Sequence, residues 1–95
     1  MIPGTTSKIS EDILASAETI FPKTDMVELT GSTDIATIMP PYEGFSGILV
    51  LVPRDGTLGL LTTGNIAVAV TMPQDRATFL TYSKVANVWF PGAIS

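Results

Sequence analysis

The sequence contains neither cysteine nor histidine among its 95 residues, and each absence removes a class of chemistry. Without cysteine there is no disulfide, no thiolate nucleophile and no thiolate ligand for zinc. Without histidine, the commonest general base and the usual imidazole ligand for metals are missing. We therefore interpret the protein as non-enzymatic, and we expect no catalytic residue, no metal site and no cofactor.

Charged residues are also scarce, at 15 % of the chain, whereas hydrophobic residues make up 45 %. A soluble surface usually carries about 25–35 % charged residues. The apolar run at residues 48–52, which no other run exceeds in length, is far shorter than the roughly 20 residues of a membrane-spanning helix. The amino terminus also lacks the charged start and long apolar stretch of a signal peptide. The excess of apolar residues therefore favours a subunit interface over a membrane segment.

The five basic residues are scattered along a chain whose net charge is −4. Clustered cations supply most of the affinity of proteins for nucleic acids, and they also attract proteins to anionic membranes. We therefore expect neither nucleic acid nor a membrane as a partner, and no motif points to a small-molecule substrate.

The first 24 residues differ from the rest and are interpreted as an amino-terminal arm, with a β domain over residues 25–95. Ser10, followed by Glu11 and Asp12, resembles a helix start, because acidic groups favour the positive end of the helix dipole. Ile9, Ile13 and Ala17 then follow at helical spacing. A helix of this length is marginal in water, so an extended arm that orders against a neighbour is an equal alternative.

From residue 25 onward, short alternating segments are separated by turn residues about every 8–12 positions. This pattern predicts an all-β fold, a small sandwich, barrel or β-roll of about six or seven short strands, without a parallel βαβ sheet. Gly31 and the pair Gly64-Asn65 are predicted to form turns with positive φ. The run 48–52 is apolar on both faces of its strand, so we expect the core on one side and a second sheet or another subunit on the other.

The remaining polar residues do not single out a reaction. Asp55 and Asp75 lie in turn sequences, and Glu11 and Asp12 are interpreted as helix-start residues. A hydrolase domain that uses carboxylates on a β scaffold is the rival from the class of enzymes, and it requires two opposed carboxylates in a groove. The aromatic residues suit either a sugar platform or core and interface packing, and we favour packing because each ring buries a large area. They are Tyr42, Phe45, Phe79, Tyr82, Trp89 and Phe90.

Four segments follow one another in a recognisable order: residues 29–38 read LTGSTDIATI, 44–48 read GFSGI, 62–67 read TTGNIA and 86–91 read ANVWFP. This series resembles a small β module of tailed-phage virion proteins, found in capsid decoration proteins, head fibres and tail-fibre tips. In that module a TGTT-I-x-x-I start, a G-F-x-G-x-I-x-L strand, a TT-x-GNIA turn and a closing W-Y/F-P follow one another. The resemblance covers about residues 25–92.

The resemblance implies a virion surface protein, commonly trimeric, that is made in the host cytoplasm and has no catalytic residues to transfer. A short chain suits a capsid decoration or cement protein, which would bind the outer surface of the head shell as an oligomer and stabilise it. Its partners would be its own copies and the major capsid protein. The alternative within virion proteins is a tail-fibre or head-fibre tip that binds a host surface receptor or glycan. A β domain serving an unrelated assembly is a further alternative.

The chain has more apolar residues than one small core needs. The surplus supplies candidates for the two contacts of a cement protein, one with the capsid and one between its own subunits. The candidates for contact with the capsid lie in the arm: Ile2, Pro3, Ile9, Ile13, Ile20 and Phe21. The candidates for the subunit interface lie in the β domain: Leu49, Leu51, Trp89 and Phe90.

Overall fold

The computed structural model describes residues 11–42 and 44–94 of the chain. Within these ranges every regular element is a strand, which confirms the predicted all-β class and its small sandwich or roll architecture. The nine strands are β1 (Glu11–Ala15), β2 (Thr19–Ile20), β3 (Met26–Thr30), β4 (Thr37–Ile38), β5 (Gly47–Pro53), β6 (Leu58–Leu60), β7 (Val70–Met72), β8 (Thr78–Ser83) and β9 (Val88–Ile94). None of these residues belongs to a helix that could cross a membrane.

Five strands form the main sheet, in the order β1-β3-β5-β8-β9. Its first three strands are parallel to one another, and its last two pairings are antiparallel. Strands β2 and β4 form a small parallel sheet, and β6 and β7 form a small antiparallel one. The chain from β1 to β5 therefore alternates between the main sheet and the β2-β4 sheet, like two turns of a coil.

This coil explains how parallel strands form without helices. Parallel neighbours need a crossover connection, which is usually a helix. Here the short strands β2 and β4 lie within the two crossovers and pair with each other. The prediction that no βαβ sheet is present holds for the described residues, although parallel pairing arises by this other route.

The core lies between the inner face of the main sheet and the two small sheets. Strands β3, β5 and β8 alternate so that every second side chain is buried. The small sheets and their connections supply the opposite side of the core. The buried apolar residues are Ile20, Val27, Leu29, Ile35, Ile38, Phe45, Leu49, Leu51, Leu58, Leu60, Ile66, Met72, Leu80, Tyr82 and Trp89.

The amino-terminal helix that was one alternative for the arm is not formed by the described residues. Residues 11–15 form β1, which pairs in register with β3, and residues 19–20 form β2. The helical stripe was therefore a wrong indicator here, because a short helix is marginal alone and pairing with β3 satisfies the backbone of β1 instead. Residues 11–20 belong to the sheets, whereas Ile9 and Ser10 lie outside the described residues.

The alternating pattern predicts strands over residues 35–39 and 66–72, and both are shorter in the structure. The segment 35–39 contributes only β4, with Ile35 joined to Leu60 by an isolated parallel bridge. In the segment 66–72 only β7 is a strand, and Ile66 forms an isolated bridge to Trp89. Alternation within this segment predicts that Ile66, Val68 and Val70 face the same way, and this prediction is wrong, because Ile66 is buried whereas Val68 is 57 % exposed.

Candidate functional site

The side of the main sheet that faces away from the core carries apolar side chains. We call this surface the outer face and define it by Met26, Ile48, Val50, Phe79 and Phe90. Met26 lies opposite Val50, and Val50 lies opposite Phe79, so these three side chains form one row across β3, β5 and β8. A second row runs from Ile48 through Thr81 to Phe90.

The outer face is exposed to an extent that is unusual for such side chains. Ile48 is 57 % exposed, Phe90 45 % and Phe79 38 %, while Met26 and Val50 are partly buried. The wet side of a sheet ordinarily carries polar residues in alternation with the buried ones. On β5 both phases of the alternation are apolar, as the two-faced run 48–52 predicts, and Met26, Phe79 and Phe90 extend the apolar surface to the neighbouring strands.

Charge is present at the border of the outer face, and it is paired. Glu28 lies beside Val52 in the neighbouring row, and its Oε1 accepts a hydrogen bond from Nη1 of Arg54 at 2.9 Å. Nε of Arg54 donates to Oδ1 of Asp75 at 2.8 Å. The hydrogen bond to Asp75 and then the charge of Glu28 raise the pKa of Arg54 above its ordinary value. The arginine therefore stays charged and compensates the carboxylates at this border.

A pocket of about 510 Å³ indents the outer face where β3 and β5 begin. Met26, Ile48 and Val50 form part of its wall, so the pocket is continuous with the apolar rows. Asp25, Phe45, Ser46 and Gly47 complete its lining. Such a cavity can receive a large side chain of a partner, and buried anchors in pockets dominate the energy of many interfaces.

An aromatic cluster joins this pocket to a second surface feature. Phe45 is buried, and its ring lies 6.2 Å from Tyr82 and 5.9 Å from Trp89. Tyr42 packs edge-on against Phe45, with the ring centroids 5.4 Å apart and the ring planes at 88°, yet it remains 64 % exposed. A second pocket, of about 530 Å³, lies between Tyr42 and the turn that connects β8 to β9.

Three of the four recognised sequence segments meet inside the molecule through Asn65. Its Oδ1 accepts from the Ile38 amide at 2.9 Å, and its Nδ2 donates to the Ile38 carbonyl at 2.7 Å. Nε1 of Trp89 donates to the same carbonyl at 2.9 Å, across 51 positions of sequence. The side chain of Asn65 thus forms hydrogen bonds with both backbone groups of Ile38 at the end of β4, as a neighbouring strand would. Polar backbone groups at such a site need partners when they are removed from water. These segments have a structural role.

Gly64 is required by packing and not by its backbone angle. Neither Gly64 nor Asn65 has a positive φ, so the turn predicted there is wrong in its geometry. A Cβ at position 64 would collide with the carbonyl oxygen of Ala36 and with Oγ1 of Thr37. Gly31 does have a positive φ, of 81°, as predicted.

The residues predicted for the subunit interface separate into two groups. Leu49, Leu51 and Trp89 are fully buried within the single chain, so their hydrophobicity belongs to its core. Phe90 lies on the outer face. The other members of that face (Met26, Ile48, Val50 and Phe79) were not among the candidates, although the two-faced run 48–52 signalled two of them.

The residues predicted for capsid contact separate in the same way. Ile20 is buried in the core, whereas Ile13 and Phe21 are exposed. Ile2, Pro3 and Ile9 lie outside the described residues.

Three of the acidic side chains that the structure describes hold loops in place. Oδ2 of Asp55 accepts from the Gly31 amide at 2.7 Å, and Oδ1 of Asp34 accepts from the Gly59 amide at 2.9 Å. Asp75 pairs with Arg54. Over residues 11–42 and 44–94, no group of three or more acidic side chains is arranged to hold a metal ion.

Comparison of the chain with protein-family models, with curated proteins and with solved structures finds no match.

Proposed function

We propose that the protein is a structural subunit of a phage virion, a decoration or cement protein that binds the outer surface of the head shell as a homotrimer. Its task would be to bridge neighbouring shell subunits against the pressure of packaged DNA. The module-like order of the four sequence segments supports the virion assignment. The apolar outer face supports the assembly, and this observation carries the proposal.

The outer face argues for assembly because folding of one chain does not explain it. The core is already complete without it, since every second residue of β3 and β5 on the inner side is fully buried. Apolar side chains left in water gain about 25 cal/mol for each Å² that a partner covers. Contiguous exposed apolar patches typically mark protein contacts.

The area of the outer face sets the scale of the contact that it can make. Five strands about 4.8 Å apart and about six residues long, at about 3.3 Å per residue, give a face of roughly 500 Å². Two such faces packed together bury about 1,000 Å², and three faces around a threefold axis bury about 1,500 Å² in total, or about 500 Å² for each pair of subunits. Both pairwise values lie below the roughly 1,200–2,000 Å² of a standard interface, so the choice of three copies rests on the resemblance to the virion module, which is commonly trimeric. The pocket beside Met26 and Ile48 would receive a side chain from the next copy.

A trimer would also strengthen a weak contact with the shell. Three equivalent contacts on one rigid assembly act together, because the second and third form at a high effective concentration. Of the arm residues that the structure describes, the exposed Phe21 remains the candidate for this contact, whereas Ile13 lies opposite Glu28 on the outer side of the sheet and would be covered by the next copy.

The first test is the mass of the purified protein by light scattering after size exclusion. The chain has a mass of 10.0 kDa, so a trimer should elute at about three times this value. The double variant Ile48→Ser with Phe90→Ser should elute as a monomer with its fold intact. The matched control is Val68→Ser with Val85→Ser, which removes two residues that are 57 % and 90 % exposed away from the outer face, and it should remain trimeric.

The second test is cosedimentation with empty head shells. The trimer is expected to sediment with the shells and to raise the temperature at which they open. A monomeric wild-type protein that also fails to bind shells would contradict the proposal. Binding to host cells without binding to shells would instead favour the fibre-tip alternative.

A further inference from the structure

The pocket of about 530 Å³ beside Tyr42 has the features of a ligand site and takes no part in the proposed assembly. It lies where the loop before β5 meets the β8–β9 turn, and Met39, Pro40, Tyr42, Lys84 and Asn87 are among its lining residues. Its volume falls within the roughly 300–1,000 Å³ of small-molecule sites. None of the outer-face residues lines it.

Tyr42 presents an aromatic surface to this pocket, and its side chain would lose little conformational entropy when a ligand binds. The ring is 64 % exposed, and its edge-on contact with the buried Phe45 restricts the orientations open to it. Phe45 is in turn fixed between Tyr82 and Trp89. A rigid, exposed aromatic ring suits stacking against a flat apolar ligand face, such as the C–H face of a sugar ring.

The opposite wall supplies polar groups from a well-fixed turn. The Asn87 amide donates to the Ser83 carbonyl at 2.7 Å, and the Ala86 amide donates to Oγ of Ser83 at 3.2 Å. Asn87 adopts a left-handed conformation, with φ of 59°, which asparagine tolerates better than most residues. Its Oδ1 lies 3.4 Å from the Tyr82 hydroxyl. An amide and a phenol hydroxyl together can both donate to and accept from the hydroxyl groups of a sugar.

Lys84 adds a positive charge to this wall. The ion pairs found over the described residues both involve Arg54, so Lys84 is not committed to a carboxylate there. The chain as a whole carries a net charge of −4, which makes a cation in a pocket a local exception. An ammonium group at this position would select a ligand that carries a carboxylate.

We propose that this pocket binds a saccharide unit that bears a carboxylate, of the uronic or sialic acid class. Tyr42 stacks against the sugar ring, Lys84 pairs with the carboxylate, and Asn87 with the Tyr82 hydroxyl binds ring hydroxyl groups. The inference goes beyond the proposed function, because a capsid knob and a fibre tip can each carry such a site. It therefore stands or falls separately from the trimer and from shell binding.

The test is an NMR titration of the isotope-labelled protein with glucuronate and N-acetylneuraminate, and with glucose as the neutral comparison. Saturable shifts are expected at the amides of Tyr42, Lys84 and Asn87, with a Kd on the order of 1 mM for the acidic sugars. Glucose should bind about fivefold more weakly, since it lacks the charge-assisted contact. A short glucuronate-containing oligosaccharide distinguishes a single sugar from a unit within a polysaccharide, because only the latter should bind more tightly as the chain lengthens.

Four variants assign the contacts. Tyr42→Ala should abolish binding of all three sugars, whereas Tyr42→Phe keeps the ring and should retain it. Lys84→Gln should reduce the affinity for the acidic sugars to that for glucose. Lys23 is an exposed lysine outside the pocket, so Lys23→Gln should change neither affinity. The proposal is overturned if no saturable shift occurs, if glucose binds as well as the acids, or if Lys84→Gln behaves like Lys23→Gln.

Discussion

The two faces of the main sheet are built from adjacent residues of the same strands, yet they meet different surroundings. On β5, Leu49 and Leu51 are fully buried, whereas Ile48 is 57 % exposed and Val50 is partly exposed. On β9, Trp89 is buried and Phe90 is 45 % exposed. Side chains of similar hydrophobicity thus serve the fold on one face and are left available for a partner on the other. Hydrophobicity alone does not separate folding from association.

The largest expected effect distinguishes the two faces at neighbouring positions of β9. Trp89→Ala should lower the free energy of unfolding by about 3–5 kcal/mol, because it opens a cavity in the core. It also removes the indole donor to the Ile38 carbonyl. Phe90→Ala should cost less than about 1 kcal/mol in a monomer, since its ring is already half in water. Urea denaturation of both variants measures this difference, and equal losses would erase the distinction between the faces.

The next effect tests whether the inner face needs its polar network. Asn65→Ala should cost about 2 kcal/mol, because the amide and carbonyl of Ile38 lose their side-chain partners in a partly buried site. Asn65→Asp keeps the acceptor but removes the donor, so it should fall between wild type and Asn65→Ala. Thermal unfolding of the three proteins would show this order, and an unchanged melting temperature in Asn65→Ala would refute the role assigned to the network.

A smaller effect, this time an increase in stability, is expected from replacing Thr78, the buried polar residue on the inner face. Thr78 is fully buried, and its Oγ1 has no hydrogen-bond partner among the residues that the structure describes. Thr78→Val keeps the shape and removes this group, so it should raise the unfolding free energy by about 1 kcal/mol. Thr78→Ser, which retains the hydroxyl and leaves a gap, should be destabilising. A destabilised Thr78→Val would mean that the hydroxyl is satisfied in solution.

The smallest effect is expected at the charged border of the outer face. Arg54→Gln removes both exposed ion pairs, and such pairs contribute little to stability. Because the folded-state pKa of Arg54 is raised, its contribution is present at ordinary pH and is lost only as the pH rises through that value. The melting temperature of the variant should therefore be only slightly below that of the wild type in low salt, and equal to it in high salt. A large change would show that this border has a role in the core.

The sequence was sufficient for the fold class and for most of the late strands. Period-two alternation predicted β3, which has one buried face, whereas the continuous apolar run 48–52 predicted β5. The sequence pattern failed for residues 11–20, where the apolar spacing of Ile13 and Ala17 fits a helix and only pairing with β3 produces a strand. It also failed at Val68, since a local pattern does not reveal where a chain leaves its sheet.

The candidate surfaces were harder to predict than the fold. The two-faced run 48–52 signalled an outer face, but the interface residues chosen from it, Leu49 and Leu51, belong to the inner phase. Alternation gives two phases, and only the three-dimensional packing shows which phase the core takes. The pocket beside Tyr42 unites residues about 40 positions apart, so no local pattern contains it.

The hydrogen bond from Trp89 to Ile38 also matters while the protein is being synthesised on the ribosome. The two residues are 51 positions apart, and ribosomes add about 5–20 residues per second, so roughly 3–10 s separate their synthesis. During that interval the coil from β1 to β5 exists without the ring that completes its core. Its apolar residues are then open to other nascent chains, so crowded polysomes are where this chain is most exposed to aggregation.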